Sequence, residues 1–282
     1  METKKYVCGM TLYYPEHDVI EKIKNYSDLF SKVYLFDNTE KHNLIKDEIQ
    51  NLTDTRTNLV YITENKNQGL PYAFNRIIDM LEEDVDYFCT LDQDSLFNER
   101  DIKSIIKKIN SANVEKVGIV APHVIYDMSE DVVYSNIAKK KRYLIASGSF
   151  LNIKALKKYD IRYDEKYFID KFEIDLGEQL KLNGYCLYMF YGSVLYQSLG
   201  EKDSKGKTNH SVLRHYYLFR NRFYFNNKFY SFPRKQILSV LQTLRHMAQI
   251  ALTEENKSLK MKQLIYGYRD FKRGNMYECK RR

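Results

Sequence analysis

The chain has 282 residues, 44% of them hydrophobic, and Lys plus Arg (45) exceed Asp plus Glu (37) for a net charge of +8. That is enough apolar material for one large α/β domain with an appended segment. The four cysteines (Cys8, Cys89, Cys186, Cys279) lack metal-type spacing, so a disulfide or zinc scaffold is excluded and they read as small core residues in a reducing compartment. With no apolar run of about 18 residues and no basic-apolar-small leader, the protein is expected to be cytoplasmic.

In chain order, Tyr6 to Tyr14 reads as a first strand closed by Pro15, and Val19, Ile20, Ile23, Tyr26 and Phe30 then recur at helical spacing. Lys32 to Thr39 is a β-rich run that ends in Asp37. Ala73, Ile77, Ile78 and Leu81 mark a second helix, and Asp86 to Ser95 is an apolar strand that delivers Asp92 and Asp94 to its carboxyl end. A third helix follows, with Asn98 as N-cap, Glu99 and Asp101 in its first turn, and Ile102, Ile105, Ile106 and Ile109 on its buried face. Gly118 to Val124 and Leu144 to Ile153 read as further strands, the second containing Ser147-Gly148-Ser149. Tyr167 to Leu176 places Asp170, Glu173 and Asp175 at a helix start, with Phe172, Leu176 and Leu180 facing inward and Gly184 as the stop. From about Ser211 the pattern is helical and aromatic-rich, which sets an expected division into residues 1–210 and a helical, basic segment 211–282.

Two carboxylates one residue apart suit Mg²⁺ or Mn²⁺, hard ions that take one or two protein oxygens while phosphate and water supply the rest. Ligands of open α/β sheets bind outside the carboxyl ends of the strands, so Thr11, Tyr13, Asp37, Asp92 and Asp94 are expected around one crevice.

Taken together, Thr11-Leu12-Tyr13-Tyr14-Pro15, Phe36-Asp37-Asn38-Thr39, the run from Asn65 through Gly69 to Asn75, and Leu91-Asp92-Gln93-Asp94-Ser95 resemble glycosyltransferase family 2 in four ordered motifs. The style is that of bacterial rhamnosyltransferase-like members. The resemblance implies the GT-A fold, an α/β Rossmann-like sandwich, and an inverting transfer from a nucleotide-diphospho-sugar. It makes Asp37 the reader of the pyrimidine base, gives Asn67, Gly69 and Asn75 a place in the nucleotide-sugar pocket, and makes Asp94, helped by Asp92, the metal ligand. Glu173 falls on the position of the catalytic Asp, flanked by Asp170 and Asp175. Ser147 and Gly148 mark a close approach to donor or acceptor, and His210 and Arg214 open a helix whose Arg220 and Asn221 also occupy fixed places in the pattern. Gln197 departs from it, since the family usually has a metal-binding His there.

The implied donor is dTDP-rhamnose, with UDP-galactofuranose or another UDP-hexose second, and the implied acceptor is a growing, lipid-linked surface polysaccharide. A nucleotidyltransferase would need a Gly-rich, basic phosphate loop after the first strand, which is absent. A nucleic-acid module would need basic-aromatic strands, whereas these are apolar and end in acids. An inactive carbohydrate-binding scaffold on the same fold stays open because Glu173 and Gln197 both depart from the pattern. The apolar stripe Ile237, Val240, Leu241, Leu244, Met247, Ala248 and Ile250 to Leu252 is read as packing on the catalytic domain or a second copy, with peripheral contact at the inner membrane face as the alternative. The basic tail from Lys272 to Arg282 is expected to add salt-sensitive attraction to anionic lipid and to be dispensable for catalysis on a soluble acceptor.

Overall fold

The computed structural model describes residues 4–41, 43–111, 116–126, 131–197 and 210–280. Two compact units are present, Met1–Tyr163 with Leu176–Ser198, and Asp164–Asp175 with Leu199–Arg282.

The first unit is built on one mixed sheet. Its parallel half comprises β1 (Lys5–Leu12), β2 (Lys32–Asp37), β3 (Leu59–Thr63) and β4 (Val85–Asp92). The other strands are β5 (Ser95–Leu96), β6 (Val117–Ile125), β7 (Ala138–Lys140), β8 (Ser149–Asn152) and β9 (Cys186–Gln197). The order is β3-β2-β1-β4-β8-β6-β9-β5, with β7 on β9. Helices α1 (Asp18–Leu29), α2 (Lys46–Thr55), α3 (Leu70–Asp79), α4 (Glu99–Ser111) and α5 (Ile153–Lys158) connect the strands. β1 is buried from Tyr6 onward, as a central parallel strand covered on both faces must be. Val19 and Ile23 of α1 and Ile102 and Ile105 of α4 join Cys8, Met10, Leu35 and Leu91 of the strands in one core. Each such aliphatic side chain contributes about 1.5–3 kcal/mol by burial.

Local chemistry trims the expected elements. β1 stops at Leu12, and Tyr14 lies at φ 46°, so the chain turns before Pro15. Only Ser149–Asn152 of the expected strand 144–153 is a strand, because Gly148 sits at φ +77° on one side and Asn152 N-caps α5 through Ala155 N–H on the other. Asp101 does not face solvent at the α4 dipole. It is buried, and its Oδ1 accepts from Val194 N–H at 2.9 Å. Gly184 (φ +80°) ends α6 (Phe172–Leu182), whose Phe172, Leu176 and Leu180 are buried. None of the four cysteines is in a disulfide.

α6 begins in the second unit, which also holds α7 (Val212–Phe229), α8 (Arg234–Thr253) and α9 (Lys257–Arg273). Ser211 caps α7 through the Arg214 N–H. Gly267 of α9 lies against the α7 backbone. A Cβ there would meet Arg220 N at 2.9 Å and Tyr216 O at 3.0 Å, so a side chain would force the two helices apart.

A polar chain fills the interior of this unit. Arg222 Nη2 lies 3.0 Å from His246 Nδ1, His246 Nε2 lies 2.9 Å from His215 Nδ1, and His215 Nε2 lies 2.7 Å from Glu254, which also accepts from Lys260. Burial, then the Arg222 charge, lowers the His246 pKa to about 3, and burial lowers that of His215. With both rings neutral, one proton order satisfies every contact: Arg222 donates to His246, His246 to His215, and His215 to Glu254.

The α8 stripe is uncovered over Ile237, Val240, Leu241 and Leu244, each 53–58% exposed, whereas Ile250, expected in the same stripe, is buried on the side of Thr243 and His246. The tail is not simply a solvated basic run. Tyr277 N–H donates to Lys166 O at 3.0 Å, and Cys279 N–H donates to the Tyr217 hydroxyl at 2.8 Å. Removing everything after Phe271 would strip these ties from the second unit, so truncation acts on its packing as well as on its charge. Arg281 and Arg282, like Ser198 to Gly200 after Gln197, lie outside the described residues.

Candidate active site

In the first unit, parallel register sets the ends of β1, β2 and β4 level, with Thr11 opposite both Phe36 and Asp92 and Leu12 opposite Asp37. The residue between the two acids locks this edge. Gln93 Oε1 accepts from Tyr13 N–H at 2.7 Å, its Nε2 donates to Tyr13 O at 3.0 Å, and its carbonyl accepts from Lys22 at 2.8 Å. Nothing in the sequence singled out Gln93.

Asp92 is held from two sides. Its N–H donates to Ser147 Oγ at 3.1 Å, and its Oδ2 accepts from Gln197 Nε2 at 3.1 Å. Ser147 is buried and also meets Ser95 Oγ at 2.7 Å, so its hydroxyl shapes the turn that presents the acids. Gly148 N–H donates to Thr90 O at 2.7 Å, and a Cβ on it would lie 2.9 Å from Pro122 Cγ. Both the left-handed φ and this close approach require glycine. Asp94, next along, is exposed.

Asp37 is 1% exposed and holds three donors: Thr39 N–H at 2.9 Å, Asn43 Nδ2 at 2.7 Å and the Tyr61 hydroxyl at 2.6 Å. Burial, then the Asp37 carboxylate, pushes the Tyr61 phenol well above its usual pKa, so it remains a donor. Asn38 Oδ1 accepts from Gln68 N–H at 3.1 Å, and Asn67 Oδ1 accepts from Gly69 N–H at 3.0 Å, which fixes Gly69 (φ 84°) at the start of α3. The Asn75 amide grips Tyr163, donating to its carbonyl at 2.9 Å and accepting from its N–H at 3.1 Å. Tyr13 is 47% exposed beside Tyr14.

The second unit holds the other acids. Asp170 Oδ1 pairs with Arg214 Nη2 at 3.2 Å, while Asp170 Oδ2 and Arg214 Nε are shielded from water and have no hydrogen-bond partner among the described residues. Asp175 is fully buried, accepts from the Tyr167 hydroxyl at 2.9 Å and pairs with Lys228 at 2.7 Å. Lys228 also meets Asp164 at 2.8 Å. Burial works to lower the Lys228 pKa, and hydrogen bonds to Asp164 and Asp175 overcome it, so the amine stays charged. Glu173 is half-buried in the first turn of α6. The His210 ring lies 6.1 Å from that of His215 and is tilted to it, and burial, then Arg214, lowers the His210 pKa.

The backbone leading to Glu173 is strained, with Phe168 at φ 66°, Asp170 at 57° and Lys171 at 75°. Such conformations cost about 1–3 kcal/mol each. Two consecutive side chains offset this. Arg220 donates to Lys166 O at 3.2 Å, Tyr167 O at 2.9 Å and Tyr277 O at 2.7 Å. Asn221 Nδ2 lies 3.0, 2.6 and 3.0 Å from the carbonyls of Tyr167, Ile169 and Asp170.

The model of glycosyl transferase family 2 matches residues 17–174, more than half of the chain. The chain belongs to glycosyltransferase family 2. Its GT-A fold is similar to that of S. aureus TarS 1-349, with TM-score 0.61, 11% identity, and coverage of 95% of this chain and 80% of that one. The same protein in complex with UDP gives 0.52 and 13%, covering 95% of this chain and 72% of that one. GalNAc-T7, solved with UDP, GalNAc and Mn²⁺, gives 0.57 and 8%, covering 79% of this chain, which spans 51% of that one. No curated protein matches the sequence. Family and fold together make this protein a nucleotide-sugar glycosyltransferase.

No group of three or more His, Cys, Asp or Glu is placed to hold a metal among the described residues of this glycosyltransferase. Asp92 and exposed Asp94 fit a hard divalent ion that takes its other ligands from diphosphate and water, not a structural zinc site.

The Arg220–Asn221 pair makes a prediction of its own. Asn221→Ala removes the amide from three carbonyls of a buried loop and is expected to cost about 2–3 kcal/mol of stability, measured by denaturant unfolding. A loss below about 0.5 kcal/mol would show that the loop holds itself.

Proposed function

We propose an inverting, metal-dependent transfer of a sugar, rhamnose from dTDP-rhamnose as first choice, to a growing lipid-linked surface polysaccharide at the inner face of the cell membrane. The observation that carries the reading is the acid pair at the end of β4, where Ser147 and Gln197 fix Asp92 while Asp94 stays open to solvent. Asp94, with Asp92, holds Mg²⁺ or Mn²⁺, which when bound neutralises charge gathering on the departing diphosphate. Glu173 takes the proton of the acceptor hydroxyl as its oxygen bonds to the anomeric carbon. The bond from that carbon to diphosphate oxygen breaks, and the nucleoside diphosphate leaves with the electron pair. Asp37, through the turn it organises, reads the pyrimidine base. Thr11, Tyr13, Asn67, Gly69, Asn75, Ser147 and Gly148 build the donor pocket by fixing its backbone, and His210 and Arg214 meet phosphate. The functional division at 210/211 differs from the compact units because the acidic loop belongs to the second of them.

UDP-hexose, including UDP-galactofuranose, is the second donor reading, favoured by the UDP in two structures of this fold. Purified protein with Mn²⁺ is expected to release dTDP from dTDP-rhamnose, or UDP from a UDP-sugar, and to stop with a chelator. Binding of a donor with no release from any nucleotide sugar would favour an inactive carbohydrate-binding scaffold.

A further inference from the structure

Residues 231–282 hold twelve Lys and Arg against four Asp and Glu, so this stretch alone accounts for the net +8 of the chain. Two of its four acids do not face solvent. Glu254 is buried between His215 and Lys260, and Asp270 is buried against the Tyr216 hydroxyl. Exposed Arg234, Arg245, Lys257, Lys262, Arg269 and Lys272 are left with little to neutralise them.

The same helices expose apolar surface. Between α8 and α9, over the end of α7, runs a groove of about 780 Å³ lined by Phe223, Val240, Leu244, Leu264, Ile265 and Tyr268, with Lys235, Arg269 and Lys272 on its rim. Along α8 and just before it, Leu241 is 58%, Leu252 82% and Phe232 75% exposed. Contiguous apolar surface rimmed by charge marks an interaction site. No helix among the described residues is long and apolar enough to cross a bilayer, so any contact with lipid lies along the surface.

We infer that the α8–α9 face is a docking surface for an anionic lipid bilayer. Basic residues beside an exposed apolar stripe are what an interfacial helix uses: the apolar side enters the acyl boundary, and Lys and Arg meet acidic headgroups. A second copy across the same face would set Lys235, Arg269 and Lys272 against like charges. Nucleic acid would match the charge and leave Val240, Leu241, Leu244 and Ile265 in water. The inference goes beyond the reading of donor and acceptor above and does not depend on it.

The full chain is tested by co-sedimentation with phosphatidylcholine vesicles, with and without phosphatidylglycerol, at low and high salt. Binding is expected only to the anionic vesicles and is expected to fall at high salt. Val240→Gln with Leu244→Gln, and separately Arg269→Gln with Lys272→Gln, are each expected to weaken it by at least about fivefold. The exposure of these side chains predicts unchanged circular dichroism and melting. Equal binding to neutral vesicles, no binding, or variants that bind like the wild type would overturn the inference. So would a dimer in sedimentation equilibrium that the Val240/Leu244 variant dissociates, found without vesicle binding, since the face would then serve self-association.

Discussion

Glu173→Gln is expected to bind the nucleotide sugar with unchanged affinity and to turn it over about 10²–10⁴-fold more slowly, the range for loss of a general base. The amide keeps the shape of the side chain and removes its capacity to take a proton. Its neighbours are poorer candidates on structural grounds. Asp175 is fully buried, with its carboxylate engaged by Lys228 and Tyr167, and Asp170 is drawn to Arg214. Asp175→Asn is therefore expected to act on stability, because it removes the buried carboxylate of an ion pair and leaves Lys228 with Asp164 alone. Donor affinity by calorimetry, kcat by nucleotide release and melting temperature separate the two behaviours. If Asp175→Asn or Asp170→Asn keeps its fold and donor affinity and fails to turn over, while Glu173→Gln works normally, the base has been misplaced.

Strand ends and acids were legible because they obey local rules. An apolar run closing on Asp92 and Asp94 needs only a few residues of context, and the helix from Phe172 announces itself by Leu176, Leu180 and Gly184. What side chains hold was not legible when the partner lies far along the chain. Arg220 and Asn221 could be seen to occupy fixed places. That they clamp a strained loop 51–54 residues away depends on the close packing of α7 on α9 at Gly267. Asn75 likewise reads as a pocket residue by motif, and only the fold shows both ends of its amide engaged by Tyr163, 88 residues on. The exposed α8 stripe has the period of a packed helix, and period alone does not say whether the partner belongs to the chain.

Asp94→Asn is expected to fold like the wild type and to lose transfer activity by more than about hundredfold, since a divalent ion on the leaving group is worth several kcal/mol of transition-state stabilisation. Its exposure predicts the intact fold, because substitutions at exposed positions change stability little. Asp92→Asn should behave differently. Its Oδ2 accepts from Gln197 Nε2, so the substitution disturbs that contact as well as the charge, while the backbone N–H keeps its bond to Ser147. Gln197 supplies the finer test. Its amide nitrogen faces Asp92, which makes it a donor to the carboxylate. Gln197→His places an imidazole where the amide stood, and a neutral imidazole nitrogen can ligate a divalent ion, which the amide nitrogen facing Asp92 cannot. That variant is expected to reach half-maximal activity at a lower Mn²⁺ concentration than the wild type, and the gain should vanish when Asp94→Asn is added. Titrating Mn²⁺ into metal-stripped protein while following nucleotide release gives all three curves. A wild type indifferent to chelator, together with full activity in Asp94→Asn, would remove the metal from the mechanism and leave the acid pair with a structural role at the end of β4.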